Sequence, residues 1–333
     1  MVTSRDVAKL AGVSQPTVSR ALRGDSRIAE ATRERVQTAA RALGYSPDPI
    51  GRALSVGHST RVGLVVTDLR NQFYSHLIAP MHDELEKLGY ELVLVTESSE
   101  GAQVADHIVA NGLCGAVLAT TTIDSVVPVR LRDRGVPFVY FNRVAASVMA
   151  DSVTTDPEPG MRELVDALVG HGHRTVGALF GPRNTSTGQQ REEVLRSLLE
   201  EHEIVLPSRL TRYGAFDGEA GHAGCRELMA AKNPPTAIVC ANDVVAFGAL
   251  NGAAELGLDV PGDVSIVGFD DLPLSRWPLL DLTTVAYDIE ELSRAAARQI
   301  VSRVTGGADA PPRHEVLTSR LVVRGTLGLA PRG

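Results

Sequence analysis

Cysteines and long apolar segments are scarce in this chain of 333 residues, and each shortage argues against a class of protein. The three cysteines, Cys114, Cys225 and Cys240, lie far apart in apolar surroundings, which favours buried thiols over disulfides or a metal site. No apolar run reaches the length of a membrane span, and the first residues carry charges where a secretory signal would be apolar. The sequence therefore predicts a cytoplasmic protein.

Common enzyme signatures are also missing. There is no Gly-x-Ser-x-Gly elbow and no visible pairing of a nucleophile with a base. Residues 181–188 (GPRNTSTG) resemble a phosphate-binding loop but lack its Gly-Lys-Ser/Thr ending, so a flexible loop at a cleft is favoured. His171 and His173 have the spacing of metal ligands without a nearby Cys or Asp, which favours a structural role. We expect no catalytic residues, no metal and no cofactor.

The chain as a whole has a negative net charge, but its first part has a positive one. The formal net charge is −7, which by itself argues against a nucleic-acid partner. Residues 1–60 nevertheless hold nine Lys and Arg against five Asp and Glu, a net charge of +4, which leaves −11 for the remainder. This basic head on an acidic body places a phosphate-binding potential in the first 60 residues.

A helix-turn-helix pattern occupies the start of this head, over residues 3–22. The apolar spacing gives a first helix one buried face, and Gly12 suits the left-handed turn that ends it. Ser14 is placed to cap a second helix, with Pro16 in its first turn. The outer face of that second helix carries polar residues, which fits a DNA major groove. By itself this pattern would equally suit a small helical subdomain that only packs.

A third helix and a proline-containing segment complete the head. The apolar spacing within residues 24–45 predicts a helix that opens near Thr32 and ends at Gly44, with Tyr45 over the three-helix core. The segment 47–60 contains Pro47 and Pro49 and is interpreted as a linker. A short helix from 49 to about 55 is compatible with it and would form on DNA.

From residue 61 onward, short β-branched runs alternate with amphipathic stretches. The predicted strands are 62–66, 90–95, 115–119, 137–141, 175–180, 236–240 and 265–269, and the predicted helices are 76–88, 160–170, 189–203, 218–231 and 243–256. Near-continuous apolar strands in β-α units indicate parallel sheets with helices on both faces. Because the units are too many for one compact sheet, we predict an α/β body of two Rossmann-like subdomains, with a ligand at the carboxyl ends of the strands.

Taken together, these segments resemble the lactose/galactose repressor (LacI/GalR) family of bacterial transcription regulators. The resemblance covers almost the whole chain and rests on motifs in both halves. In the head they are DVAK (6–9), AGVS (11–14), TVSR (17–20) and LGYSP (43–47); in the body they include FNR (141–143), GHR (172–174), AND (241–243), GFDD (268–271) and LTTV (282–285). The resemblance implies a three-helix helix-turn-helix head and a periplasmic-binding-protein-like body.

The resemblance also implies which residues contact DNA. Gln15, Pro16 and Arg20 match the base-reading positions, where an arginine can pair with a guanine edge and a proline offers only apolar contact. Residues that would contact phosphates and set the register are Ser4, Ser14, Thr17, Ser19, Thr32 and Tyr45. Leu54, with Arg52 beside it, falls where the family's hinge helix inserts a leucine into the minor groove. An ordinary linker hydrophobe is the alternative interpretation of Leu54.

A small-molecule effector is implied for the cleft of the body. Phe73 and Phe216 would form apolar or stacking walls, and polar groups would hold hydroxyls of a sugar: Asn142, Arg143, Arg191, Asn242 and Asp270. Each of these polar groups has a structural hydrogen bond as its alternative role. The two arginines would equally suit a carboxylate or a phosphate, so the sugar remains the leading interpretation only.

The resemblance gives the domain boundaries. We expect a DNA-binding head at 1–46, a hinge at 47–60, one subdomain from 61–157 plus 287–322, the other from 158–286, and a tail at 323–333. The chain would be a homodimer that binds a near-palindromic operator and is switched by its effector, with repression as the family-based expectation. Two alternative functions of the body are compatible with the same DNA-binding head: an enzyme of small-molecule metabolism, and a solute-binding protein.

Overall fold

The computed structural model describes residues 2–22, 25, 27–45, 59–67, 69, 71–96, 103–306 and 310–331. The chain divides between Ser59 and Thr60 into two units, which we describe separately. Most of the predicted hinge, including Arg52 and Leu54, lies outside the described residues. In the part of the chain that is described, no helix is both long and apolar enough to cross a membrane.

The first unit is a three-helix head. Its helices are α1 (Ser4–Ala11), α2 (Gln15–Leu22) and α3 (Glu30–Ala42). The third helix begins two residues before the predicted opening at Thr32 and ends two residues before Gly44. Gly12 ends α1 with φ +63°, and the backbone N–H of Thr17 donates to the Ser14 hydroxyl at the start of α2 (3.3 Å). The small apolar residues pack into one core: Val7, Ala8, Ala11, Val18, Ala21, Val36, Ala39 and Ala40.

The second unit, the body, contains two six-stranded sheets. The first comprises β1 (Arg61–Val66), β2 (Glu91–Thr96), β3 (Gly115–Leu118), β4 (Phe138–Phe141), β5 (Asp151–Asp156) and β11 (His314–Thr318), in the order β11-β5-β4-β3-β1-β2. The second comprises β6 (Val176–Phe180), β7 (Thr211–Tyr213), β8 (Ala237–Cys240), β9 (Ser265–Asp270), β10 (Thr283–Ala286) and β12 (Arg320–Val322), in the order β12-β10-β9-β8-β6-β7. All pairs are parallel except β10 with β12. The predicted α/β class with two sheets is confirmed.

Helices connect these strands. On the first sheet they are α4 (Gln72–Lys87), α5 (Val104–Ala110), α6 (Val127–Asp133) and α11 (Ile289–Val304); on the second they are α7 (Glu158–Gly170), α8 (Ser186–Glu201), α9 (Gly218–Met229) and α10 (Asp243–Glu255). Short 3-10 turns lie at Ser208–Leu210 and Pro273–Arg276. The buried strand residues Val62, Leu64 and Val176 have no exposed surface. Strands buried on both faces explain the near-continuous apolar runs in the sequence.

The chain passes between the sheets three times, after β5, after β10 and after β11. The expected subdomain 287–322 therefore ends too late: β12 pairs with β10 in the second sheet, so the third crossing lies at Ser319. The expected tail is also not a loose end. Leu327 is buried, and the Gly328 carbonyl oxygen is 3.0 Å from Nε2 of the buried His173. His173 therefore joins the last segment to the second sheet, as a structural histidine would.

Candidate nucleic-acid interface and ligand pocket

The outer face of α2 presents the residues predicted to read bases. Gln15, Pro16 and Arg20 are exposed, whereas Val18 and Ala21 on the opposite face are buried in the head core. The Arg20 guanidinium makes no hydrogen bond or ion pair to any described residue. An exposed arginine without an acceptor can pair with a guanine edge without first breaking a protein contact.

A hydrogen bond holds Gln15 in place. Its amide Nε2 donates to the Ser4 hydroxyl at the start of α1 (2.9 Å), and the hydroxyls of Ser14 and Thr17 are 2.8 Å apart. The N-terminal ends of α1 and α2 thus meet through this hydrogen bond. Such helix ends bind phosphates, and this arrangement groups four of the predicted contact residues.

The remaining predicted contacts lie around this face. Ser19 is half-buried on α2, Thr32 lies in the first turn of α3, and Tyr45 packs on the head core as predicted. The Arg35 guanidinium donates to the carbonyl oxygen of Ala11 at the end of α1 (3.2 Å), which fixes α3 against the turn. The nine described DNA-contact predictions thus belong to one compact head. Their contact with DNA stays a prediction.

In the body, a small pocket collects all seven residues that we expected at an effector. It is lined by Asn71, Phe73, Tyr74, Asn142, Arg143, Thr187, Arg191, Phe216, Asn242 and Asp270. These residues come from both subdomains, at or just beyond the carboxyl ends of β4, β7, β8 and β9 and from the starts of the helices that follow β1 and β6. Ligands of doubly wound sheets bind at this end of the strands, as the topology predicts. That the seven residues bind an effector stays a prediction.

A buried ion pair forms the floor of this pocket. Arg191, on α8, donates from Nη2 to Oδ1 of Asp270 (3.2 Å) and from Nη1 to the carbonyl oxygen of Ala241 (2.6 Å). Its guanidinium also lies 3.7 Å from the centre of the Phe269 ring. The Tyr287 hydroxyl donates to the same Asp270 oxygen (3.2 Å). Burial raises the pKa of Asp270 to about 6, although Arg191 and Tyr287 oppose that shift.

Arg143 faces this pair without an acceptor of its own. The guanidinium lies 4.8 Å from the centre of the Phe216 ring, and it makes no side-chain hydrogen bond or ion pair to any described residue. Burial lowers the pKa of Arg143, and the nearby positive charge of Arg191 lowers it further. A partly buried cation without an acceptor in the described part of the chain is available to pair with an acceptor that a ligand supplies.

The two asparagines differ in how far the protein already uses them. Asn242 caps α10, since its Oδ1 accepts from the backbone N–H of Val245 (2.9 Å), so its amide NH₂ is left for the pocket. Its expected structural hydrogen bond and its place in the pocket therefore coexist. Asn142 follows β4 with φ +61°, a conformation that asparagine tolerates better than most residues, and its side chain lines the pocket.

The two subdomains touch across the pocket. The Asn71 amide donates to the carbonyl oxygen of Phe216 (2.7 Å), and the backbone N–H of Val144 donates to the Ser186 hydroxyl (3.0 Å). The enclosed space is only about 20 Å³. A single water needs roughly 10–15 Å³, so this closed arrangement has no room for a sugar. A ligand of that size enters only if these contacts open.

Sequence reasoning missed three pocket residues. Asn71 and Tyr74 belong to the start of α4, and Thr187 belongs to the first turn of α8. The last three residues of the segment 181–188, which was interpreted as a flexible loop, belong to that helix: the Thr185 hydroxyl caps it by accepting from the backbone N–H of Gly188 (3.2 Å). The polar sequence Thr185-Ser186-Thr187 is a helix-cap signal, which indicates where α8 starts.

A second buried carboxylate supports the pocket from behind. Asp243 follows Asn242 and accepts hydrogen bonds from the backbone N–H of Leu272 (2.7 Å) and the hydroxyls of Ser275 (2.6 Å) and Thr284 (2.5 Å). Burial raises its pKa to about 7, against the effect of these three donors. The side chain therefore joins the pocket wall to the segment after Asp270 and to β10, one of the strands that lead into a crossing.

Comparisons with known proteins agree with both halves of this description. Residues 3–48 match the model of bacterial regulatory proteins of the lacI family, and residues 165–327 match a periplasmic binding protein-like domain. The chain is 35% identical to the HTH-type transcriptional regulator reg1 of Streptomyces lividans, over 98% of this chain and 96% of that protein. It is 34% identical to the HTH-type transcriptional regulator MalR of Streptomyces coelicolor, with the same shares covered.

Solved structures give the same result. The complex of the transcriptional regulator CelR with cellobiose matches with a TM-score of 0.75 and 29% identity, covering 98% of this chain and all of that one. The lac repressor dimer bound to operator and the anti-inducer ONPF matches with a TM-score of 0.85 and 27% identity, covering 98% of each chain. The chain therefore belongs to the lacI family of bacterial DNA-binding transcription regulators.

Proposed function

We propose that this protein is a cytoplasmic repressor that binds a near-palindromic operator as a homodimer and is switched by a small polyhydroxylated effector in the body. The observation that carries the proposal is that one chain joins an exposed recognition face, centred on Arg20, to a pocket between two subdomains. No catalytic pairing lines that pocket among the described residues. Similar solved structures add support, since one is a complex with cellobiose and another is a dimer bound to operator DNA.

The closed pocket supports a switch rather than passive binding. About 20 Å³ is enclosed, so a ligand must separate Phe216 from Asn71 and Arg143 before it enters. Binding energy is thereby coupled to the relative position of the two subdomains. A ligand that prefers one arrangement shifts the population toward it by its differential affinity, which is the physical requirement for an allosteric effector.

The central experiment is a selection of genomic fragments by the purified full-length protein, read by sequencing. We expect enrichment of a palindrome with a flexible pyrimidine–purine step at its centre. The genes beside the enriched sites indicate which metabolites to test in the pocket. If no duplex is enriched, either alone or with a cell metabolite extract added, the proposed function is wrong.

Arg20→Ala is expected to weaken binding to the selected operator by about 10- to 100-fold, because one bidentate arginine–guanine pair contributes roughly 1–3 kcal/mol of discrimination. Binding to a scrambled duplex should change far less. The measurement is fluorescence anisotropy on both duplexes at one salt concentration. Arg41→Ala is the matched control, because it removes the same charge from an exposed site on α3. Equal weakening on both duplexes would argue against base reading by Arg20.

The homodimer has a candidate contact in an exposed apolar turn. Trp277 is 58% exposed and Leu279 is 92% exposed, directly after the 3-10 turn at Pro273–Arg276. The backbone N–H groups of Leu280 and Asp281 donate to the Trp277 carbonyl oxygen (2.8 and 2.7 Å), so the turn is held in this shape. Apolar side chains fixed in solvent are typical of a protein–protein contact.

Leu279→Glu is therefore expected to raise the dimer dissociation constant at least 10-fold, since a charge would have to be buried in an apolar contact. Sedimentation velocity over a protein concentration series measures the change. Val205→Glu serves as the control, because Val205 is 81% exposed on a different loop. Wild-type sedimentation by the Leu279 variant would exclude this turn as the dimer contact.

A further inference from the structure

Among the described residues of the pocket, the charged hydrogen-bond donors outnumber the charged acceptors. Arg143 brings five N–H groups with no acceptor, and Asn242 keeps its amide NH₂ because its oxygen caps α10. Asn71 is already used at both ends, by the Phe216 carbonyl oxygen and the backbone N–H of Phe73. Asp270 is the one charged acceptor among the described lining residues, and part of its capacity serves Arg191 and Tyr287. The neutral acceptors left are the side-chain oxygens of Asn142, Tyr74 and Thr187.

The charges of the pocket are unbalanced in the same direction. Arg191 and Asp270 neutralise each other across 3.2 Å, whereas Arg143 lacks a carboxylate among the described residues. The formal charge of the described lining residues is therefore +1. Each hydroxyl of a neutral polyol can accept a hydrogen bond from Arg143, but it also brings a proton that needs an acceptor and leaves the positive charge uncompensated. An anionic group brings acceptors only.

We propose that the effector is a sugar acid, a monosaccharide-like molecule whose carboxylate pairs with Arg143 while its hydroxyls contact Asp270 and Asn242. The inference rests on the proposed function and names the class of ligand for the same pocket. A carboxylate fits better than a phosphate ester for two reasons. Its single negative charge balances the single uncompensated cation, and its planar pair of oxygens matches the guanidinium fork.

The position of Arg143 also indicates how binding would proceed. In the closed pocket its guanidinium lies over Phe216, which belongs to the other subdomain. A carboxylate that enters would replace this weak cation–π contact with a charge-assisted pair. The Phe216 ring would then be free to pack on the ligand's apolar face. Anion binding and the rearrangement of the subdomain contact are thus the same event.

The test compares sugar pairs that differ only in oxidation at one carbon: glucose with glucuronate, galactose with galacturonate, mannose with mannuronate, and the corresponding aldonates. Isothermal titration calorimetry on the full-length protein at pH 7.5 measures each affinity. We expect at least one acid to bind about 10- to 100-fold more tightly than its neutral partner, the effect of a hydrogen bond to a charged group. Glucose 6-phosphate and galactose 6-phosphate test the phosphate alternative and should bind more weakly than that acid.

Variants at Arg143 separate recognition from folding. Arg143→Gln should weaken binding of the acid by a larger factor than binding of its neutral partner, and Arg143→Lys should restore part of the preference because it keeps the charge. The melting temperature of ligand-free Arg143→Gln should equal or exceed that of wild type, since the substitution removes a partly buried cation that has no acceptor among the described residues. A variant that is merely misfolded would lose both ligands and melt earlier.

Three results would overturn the sugar-acid assignment: a neutral sugar that binds as tightly as its acid, a phosphate that binds more tightly than every acid, or no acid binding at millimolar concentration. Equal losses for both members of a pair in Arg143→Gln would also contradict it. None of these touches the proposed function, which is judged by operator selection alone. If a neutral sugar releases the protein from its operator, the proposed function is supported and the sugar-acid assignment is wrong.

Discussion

Replacing Arg191 with leucine is expected to lower the free energy of unfolding of the body by about 3–5 kcal/mol, the usual cost of removing one partner from a buried ion pair. Arg191 is 6% exposed and Asp270 is 3% exposed, so water cannot solvate the carboxylate that remains. The carbonyl oxygen of Ala241 also loses its 2.6 Å donor. Urea denaturation at a fixed protein concentration measures the loss. Trp277 is the single tryptophan of the chain and lies in the body, so its fluorescence follows this unit.

The loss of unfolding free energy in Arg191→Leu should depend on pH. The pKa of Asp270 is raised from 3.8 to about 6 in the folded protein, so the folded state binds more protons than the unfolded state between these values. The contribution of Asp270 to the free energy of unfolding therefore falls as pH rises from about 4 to 6. Without Arg191 the pKa of Asp270 rises further, and a protonated carboxyl group avoids the cost of a buried, unpaired charge. We expect a smaller deficit at pH 5 than at pH 8.

Two further variants decide whether the buried charge is the cause. Arg162 pairs with Glu201 on the surface, at 2.7 Å, and Arg162→Leu should leave the denaturation midpoint nearly unchanged because exposed pairs contribute little. Replacing both Arg191 and Asp270 with leucine should recover much of the stability, since no charge is then left unpaired. If the double variant is less stable than Arg191→Leu, the loss comes from packing rather than from the carboxylate.

The sequence allowed the head to be predicted more completely than the body. Helical spacing identified the buried face of α2, and Gly12 and Ser14 marked the turn, because these features depend on neighbours within a few residues. The pocket residues came from the resemblance. No local signal pairs Arg191 with Asp270, which lie 79 positions apart. The missing acceptor of Arg143 is likewise a property of the assembled pocket.

The strands that escaped prediction were those without an apolar run. β5 reads DSVTTD, and its buried Asp151 is held by the guanidinium of Arg303, 152 positions later. β11 reads HEVLT and is mostly exposed at the edge of its sheet. Apolar periodicity detects neither a strand stabilised by a distant ion pair nor an exposed edge strand. The third crossing was placed too late for a different reason: the boundary at 322 came from the resemblance, whereas β12 already begins at Arg320.

Gly248→Ala is expected to disrupt the wall that carries both Phe216 and Asn242. A Cβ at Gly248 would lie 1.9 Å from the carbonyl oxygen of Gly218, and a Cβ at Gly221 would lie 1.9 Å from that of Val245. Both obstacles are backbone atoms, so α9 and α10 would have to move apart. Overpacking of this kind costs about 1–3 kcal/mol at one site, and Gly221→Ala with Gly248→Ala should cost more than either.

The separation of α9 and α10 should also change the ligand pocket. Phe216 lies two residues before α9, and Asn242 lies immediately before α10, so separating the helices moves the two side chains apart. Ligand affinity should fall at least 10-fold in Gly248→Ala, measured by calorimetry with whichever sugar or sugar acid binds wild type. The control is Gly170→Ala at the end of α7, where a Cβ would meet nothing within 4 Å. There, alanine should leave binding unchanged and stability equal or slightly higher, because it restricts the unfolded chain. Equal denaturation midpoints for the two alanine variants would mean that α9 and α10 tolerate a wider spacing, and the pocket wall would then not depend on their close contact.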